Sequence, residues 1–174
     1  QDAVSTLSEC VTLDPRSVDA YVLLAQANLE LSKPASAEQA ILAAQSLGLE
    51  SADLHYARGV ILEQRDRIDD ALAEFERARE LDPTSVDYLV AQAECLVARD
   101  RAPEALRLLE ENMNRFDDDA TIATLAGHVA VRLGDPEKAS AYFVRASISA
   151  GGDPRTLEPL ALLLARQGRC AQAI

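Results

Sequence analysis

The sequence predicts an all-α solenoid of helix-turn-helix repeats with a 34-residue period, and three observations carry that prediction. Alanine recurs at Ala3, Ala37, Ala71, Ala105, Ala139 and Ala173. A row of small residues runs through Ala25, Gly59, Ala93, Gly127 and Ala161. A row of large apolar residues runs through Leu7, Ile41, Phe75, Leu109 and Phe143. The rows never slip, so no insertion or deletion interrupts the period.

Close helix packing explains the rows: a small residue lets a neighbouring helix approach, and a large one beside it fills the remaining space. Ser17, Ser51, Ser85, Asp119 and Asp153 form a further row of N-cap residues, each placed to start the first helix of a pair. Asp19, Asp53 and Asp87 follow in the first turn, favourable at the positive end of the helix dipole, and Pro154 suits a first helical position. Turns between paired helices are expected near Ser32-Lys33-Pro34, Arg65-Asp66-Arg67, Asp100-Arg101-Ala102-Pro103 and Gly134-Asp135-Pro136. In order, the elements are a lone second helix over 1–17, complete pairs over 18–51, 52–85, 86–119 and 120–153, and an incomplete pair over 154–174.

With these rows in place the chain resembles the tetratricopeptide repeat (TPR) family over its whole length. The family pattern of small residue, alanine, large apolar residue, alanine and proline falls on Gly59, Ala71, Phe75, Ala78 and Pro83, and less completely on Ala25, Ala37, Ile41, Ala44 and Leu49. The early aromatic or leucine of the first helix is Tyr21, His55, Leu89, Ala123 and Leu157, so some repeats depart there. Asn112 replaces the second alanine, and the closing proline survives only at Pro15 and Pro83. The resemblance implies a right-handed superhelical solenoid of antiparallel helix pairs.

Composition limits the function. The 174 residues hold 29 acidic and 17 basic side chains, a net charge of −12. Phosphate binding needs clustered Lys and Arg, so DNA, structured RNA and anionic membrane are disfavoured, and so is a helical-repeat RNA binder. The apolar run Leu160 to Ala165 is far shorter than the roughly 20 residues that span a bilayer. Gln1 to Cys10 carry neither a basic segment nor an apolar core and do not read as a signal peptide. Because the chain opens on Gln1, it reads as an excerpt from which a targeting signal can have been lost, so the sequence leaves the compartment open, with a soluble, cytoplasmic setting slightly favoured.

No catalytic or metal-binding pattern is present, and no cofactor is expected. There is no Gly-rich phosphate loop, no G-x-S-x-G, no H-E-x-x-H and no C-x-x-C. Cys10, Cys95 and Cys170 are far apart and read as buried or incidental thiols. His55 falls at a position between helices and reads as a core or half-core histidine, and the acid pairs read as solvated surface. Glu74 with Arg77, Glu76 with Arg79 and Glu104 with Arg107 read as i,i+3 neighbours on exposed faces.

The resemblance implies instead a concave surface lined by first helices, which in this family grips an extended peptide or a partner helix. Carried over position by position, the groove residues are Asp19, Val22, Gln26, Tyr56, Val60, Glu63, Val90, Glu94, Val97, Thr124, His128, Val131, Arg132, Arg155 and Arg166. The Lys, Asn and Arg clamp with which chaperone-binding members hold a terminal carboxylate is missing. What remains is a valine and tyrosine strip with acids toward the N-terminal end and arginines toward the C-terminal end. The reading is a non-catalytic scaffold for a peptide or helical segment. Its rival is a spacer within a larger multidomain protein, such as a bacterial secretion, envelope-assembly or regulatory protein. Truncated terminal repeats, with helix 154–166 exposing an apolar face, predict fraying or an end-to-end homodimer.

Overall fold

The computed structural model describes residues 2–116, 119–151, 158–159 and 161–163, and every element among them is an α-helix or a turn. The chain divides into two compact units, Gln1–Ala91 and Gln92–Ile174, with the boundary inside one helix.

The first unit contains α1 (Asp2–Leu13), α2 (Val18–Glu30), α3 (Pro34–Ser46), α4 (Ala52–Glu63), α5 (Ile68–Leu81) and the start of α6 (Val86–Ala98). The Ser17 hydroxyl accepts from the Ala20 amide at 3.3 Å, and the Ser51 hydroxyl accepts from the Leu54 amide at 3.1 Å. These bonds satisfy donors that a helix start leaves open, and Asp19 and Asp53 stand beside them in the first turns. α3 opens on Pro34, which loses nothing by lacking an amide hydrogen there. The core joins Tyr21 and Ala25 of α2, Ala37, Ile41 and Ala44 of α3, and Leu54, Ala57 and Ile61 of α4.

The second unit contains the remainder of α6, α7 (Ala102–Asn112), α8 (Ala120–Arg132) and α9 (Pro136–Ser149). Asp119 and Asp135 cap α8 and α9, accepting from the Thr121 and Lys138 amides at 2.7 and 3.0 Å. Ala130, Ala139, Phe143 and Leu163 form its core cluster, with Tyr142 packed at the edge.

The small and large rows are matched in size. A Cβ on Gly59 would lie 2.4 Å from the Phe75 ring, and one on Gly127 would lie 2.4 Å from the Phe143 ring. In the other two complete pairs the same positions hold Ala25 with Ile41 and Ala93 with Leu109, all essentially fully buried. Each phenylalanine therefore faces a glycine, and where the large row holds the smaller Ile41 or Leu109 the small row holds alanine, which keeps the summed side-chain volume nearly constant.

The turns inside the pairs repeat as well. Ser32, Asp66, Asp100 and Gly134, one period apart, all take positive φ of 55° to 73°. At the first of these the Ser32 amide donates to Leu29 O at 2.9 Å and the Lys33 amide to Asn28 O at 2.8 Å, and the other three repeat the pattern. This is a Schellman helix end, which favours glycine because a Cβ strains the left-handed residue. Only Gly134 meets that preference.

Candidate protein-binding surface

In the first unit the first helices present a row of partly covered side chains. Tyr56 of α4 is half-buried, its ring centroid 5.6 Å from Phe75 and 5.2 Å from Tyr88. The buried Tyr88 donates its hydroxyl to Asp53 Oδ1 at 2.5 Å, and burial, with Asp53 beside it, pushes the phenol well above its ordinary range. Asp53 is therefore occupied by a neighbouring helix. Val60 and Val90 are half-buried, whereas Asp19, Gln26 and Glu63 are exposed. Val22 is 8% exposed and belongs to the core with Leu54 and Ile61, which leaves little of it for a partner.

The second unit holds a depression of about 360 Å³ lined by Glu94, Val97, Leu125, His128, Val129 and Arg132. Val129 is buried, Val97 and Leu125 are half-buried, and Glu94, His128 and Arg132 stand exposed around them. The His128 ring meets Phe143 edge-on at 5.2 Å. Arg132 Nη2, at the end of α8, donates to Asp100 Oδ1 in the turn after α6 at 2.5 Å, so its charge already has a partner at the surface. Thr124 gives its hydroxyl to the Ala120 carbonyl at 2.8 Å, and Val131 is 38% exposed. Arg155 and Arg166, like the expected cap Asp153 and Cys170, lie outside the described residues, and of the helix expected over 154–166 only 158–159 and 161–163 are described, all of them helical. Cys10 is exposed and Cys95 is buried.

Two surface pairings differ from the sequence expectation. Glu74 does not pair with Arg77: its carboxylate takes His55 Nδ1 at 2.8 Å and Arg58 at 3.1 Å, with only 16% of its side chain exposed. Arg77 bridges Glu50 at 2.8 Å and Glu80 at 3.0 Å, and its guanidinium holds the Glu50 carboxyl below the usual carboxylate range. Glu74 lies on the side of α5 that meets α4, so an inter-helix partner outcompetes the one along its own helix. Glu104 likewise pairs with Arg101 at 2.8 Å, which lowers its carboxyl, while Arg107 reaches Glu111 at 3.4 Å. His55 is half-buried as expected but sits between two carboxylates, with Glu50 3.5 Å from Nε2.

Tyr88, Leu125 and Val129 are the residues of these surfaces that sequence reasoning missed. Tyr88 had a legible signal: its row reads Ala20, Leu54, Tyr88, Ile122, and a buried polar tip in an apolar row needs an acceptor close by. Among the described residues no group of three or more His, Cys, Asp or Glu is placed to hold a metal ion, and no helix is long and apolar enough to cross a membrane.

Repeated helix pairs with a size-matched glycine and phenylalanine contact define a helical-repeat protein. Tetratricopeptide repeat models match residues 1–48, 22–86 and 124–174, and a further one matches 62–129. The chain belongs to the tetratricopeptide repeat family. Tetratricopeptide repeat protein 16 of Macaca fascicularis is 30% identical over 132 residues, which are 72% of this chain and 15% of that protein. The chain thus spans a small part of that relative's length. Three solved structures share the fold at low identity. PilF of Pseudomonas aeruginosa has a TM-score of 0.75 at 22% identity, covering 89% of this chain and 72% of that one. MamA has a TM-score of 0.74 at 16% identity, covering 87% and 89%. YrrB, described as a TPR protein with an unusual peptide-binding site, has a TM-score of 0.70 at 21% identity, covering 89% and 80%.

Proposed function

We propose that this chain is a non-catalytic protein-interaction scaffold that binds a peptide or helical segment of another protein along its first helices. The observation that carries the reading is the incompletely covered apolar surface on those helices: Tyr56, Val60 and Val90 in the first unit, Val97 and Leu125 in the second. Half-buried apolar side chains beside exposed polar ones suit a partner that brings its own apolar anchors. The family repeat and the peptide-binding description of one structural relative support the same reading.

The test is a crosslinking pull-down with the wild-type chain and a variant carrying Tyr56→Ala, Val90→Asp and His128→Ala, with helical content followed by circular dichroism. A partner held by the first and lost by the second, at equal helicity, supports the reading. Identical captures place binding elsewhere on the chain. A second reading, a spacer within a longer protein, draws support from the 15% of its relative that the chain matches and from groove charges already paired internally, as at Arg132 and Asp53.

A further inference from the structure

We infer that the depression between α6 and α8 is selective for a segment presenting an aliphatic side chain with a lysine or arginine close beside it; this rests on the peptide-binding reading and names the chemistry of the peptide.

Three observations carry it. Val97, Leu125 and Val129 make the lining apolar, and about 360 Å³ receives one or two side chains rather than a folded surface. The two formal charges at the rim are unequal in what they offer. Arg132 is engaged by Asp100, so an incoming carboxylate has to displace an existing ion pair. Glu94 is exposed and has no ion-pair partner among the described residues, so an incoming cation meets an open acceptor. His128 is held edge-on against Phe143, and Phe143 is locked beneath Gly127, so the wall next to the anchor is fixed before binding.

The electrostatic consequence is a site that reads negative to a peptide although it contains an arginine. A neutral aliphatic segment gains the apolar contact alone. A basic flank adds the Glu94 contact, and an acidic flank is repelled.

The experiment uses a displayed library of random dodecapeptides selected on the whole chain and on Glu94→Gln and Glu94→Lys variants. Glu94 is exposed, so both variants should fold, and circular dichroism checks this. Binders from the wild-type selection are then added to isotopically labelled protein, and backbone amide shifts are mapped. The expected result is enrichment of aliphatic-basic peptides whose shifts centre on Val97, Leu125 and Val129. Affinity should fall about threefold with Glu94→Gln and about tenfold with Glu94→Lys at low salt, with the difference shrinking as salt rises. Peptides that map to these three residues but lack a basic flank, or bind Glu94→Lys equally well, overturn the charge selectivity and leave the peptide-binding reading standing. Shifts confined to α2 and α4 overturn the depression and leave the peptide-binding reading standing, whereas selection of no peptide by any of the three proteins, or shifts confined to α3, α5, α7 and α9, overturns both.

Discussion

The two units are built on one repeat pattern yet differ in charge. Residues 1–91 hold 17 acidic and 7 basic side chains, a net of −10, whereas residues 92–174 hold 12 and 10, a net of −2. Their interiors do not differ in this way. Each unit has one pair in which glycine faces phenylalanine and one in which the same two rows hold a buried alanine and a buried branched aliphatic residue. The repeat therefore fixes the volume at the helix contact and leaves the solvent side free to vary, because close packing punishes a single misplaced methyl group while an exposed charge costs little.

The largest effects should test the shared interior. Phe75→Ala and Phe143→Ala should each cost about 3–5 kcal/mol, because both rings are fully buried. Thermal and denaturant melts check this, and a markedly smaller loss in one unit would break the symmetry. Gly59→Ala and Gly127→Ala should cost about 1–3 kcal/mol by overpacking, against the gain that alanine ordinarily brings to a helix. The sharper form is a double-mutant cycle: Gly59→Ala with Phe75→Leu recreates the combination found at Ala93 and Leu109, so the double variant should be more stable than the sum of its singles predicts. Strict additivity would mean that the ring and the glycine do not share one packing constraint. Ala71→Leu and Ala139→Leu, both fully buried, should likewise each cost about 1–3 kcal/mol.

Smaller effects test where the units diverge. Ser32→Gly and Asp66→Gly should each stabilise by about 1 kcal/mol, since both residues hold a left-handed conformation. Asp100→Gly should gain less, because it also removes the Arg132 contact. Equal gains in a melting series would show that this ion pair contributes nothing measurable. The smallest effect concerns pH. The Glu50 carboxyl titrates below its ordinary 4.5 in the folded chain because Arg77 bonds to it. Its contribution is present above that pH and is lost as the pH falls through the folded value. Glu50→Gln should therefore lower stability slightly at neutral pH and converge on the wild type as the pH falls below about 4.5, which flattens the acid side of the profile.

The helix pairs were legible because their signals are local or strictly periodic. Ser17, Ser51 and Asp119 announce helix starts through chemistry contained within three residues, and the glycine and alanine rows repeat without interruption. The turns were legible in place but not in conformation, since Ser32, Asp66 and Asp100 adopt a geometry that their own preferences oppose. The surface was harder to read. Glu74 had two cations within reach along the sequence or across the pair, and only the facing of α5 toward α4 selects His55 and Arg58.

What the sequence alone determined was the period, the helix starts, the small and large rows and the absence of a catalytic pattern, because each follows from residue type at a fixed spacing. The tertiary structure decided which charges are already spent. Tyr88 occupying Asp53, Asp100 occupying Arg132 and Glu94 standing open depend on side chains meeting across separate helices, and spacing along one chain does not encode which of several neighbours a flexible charged group will choose.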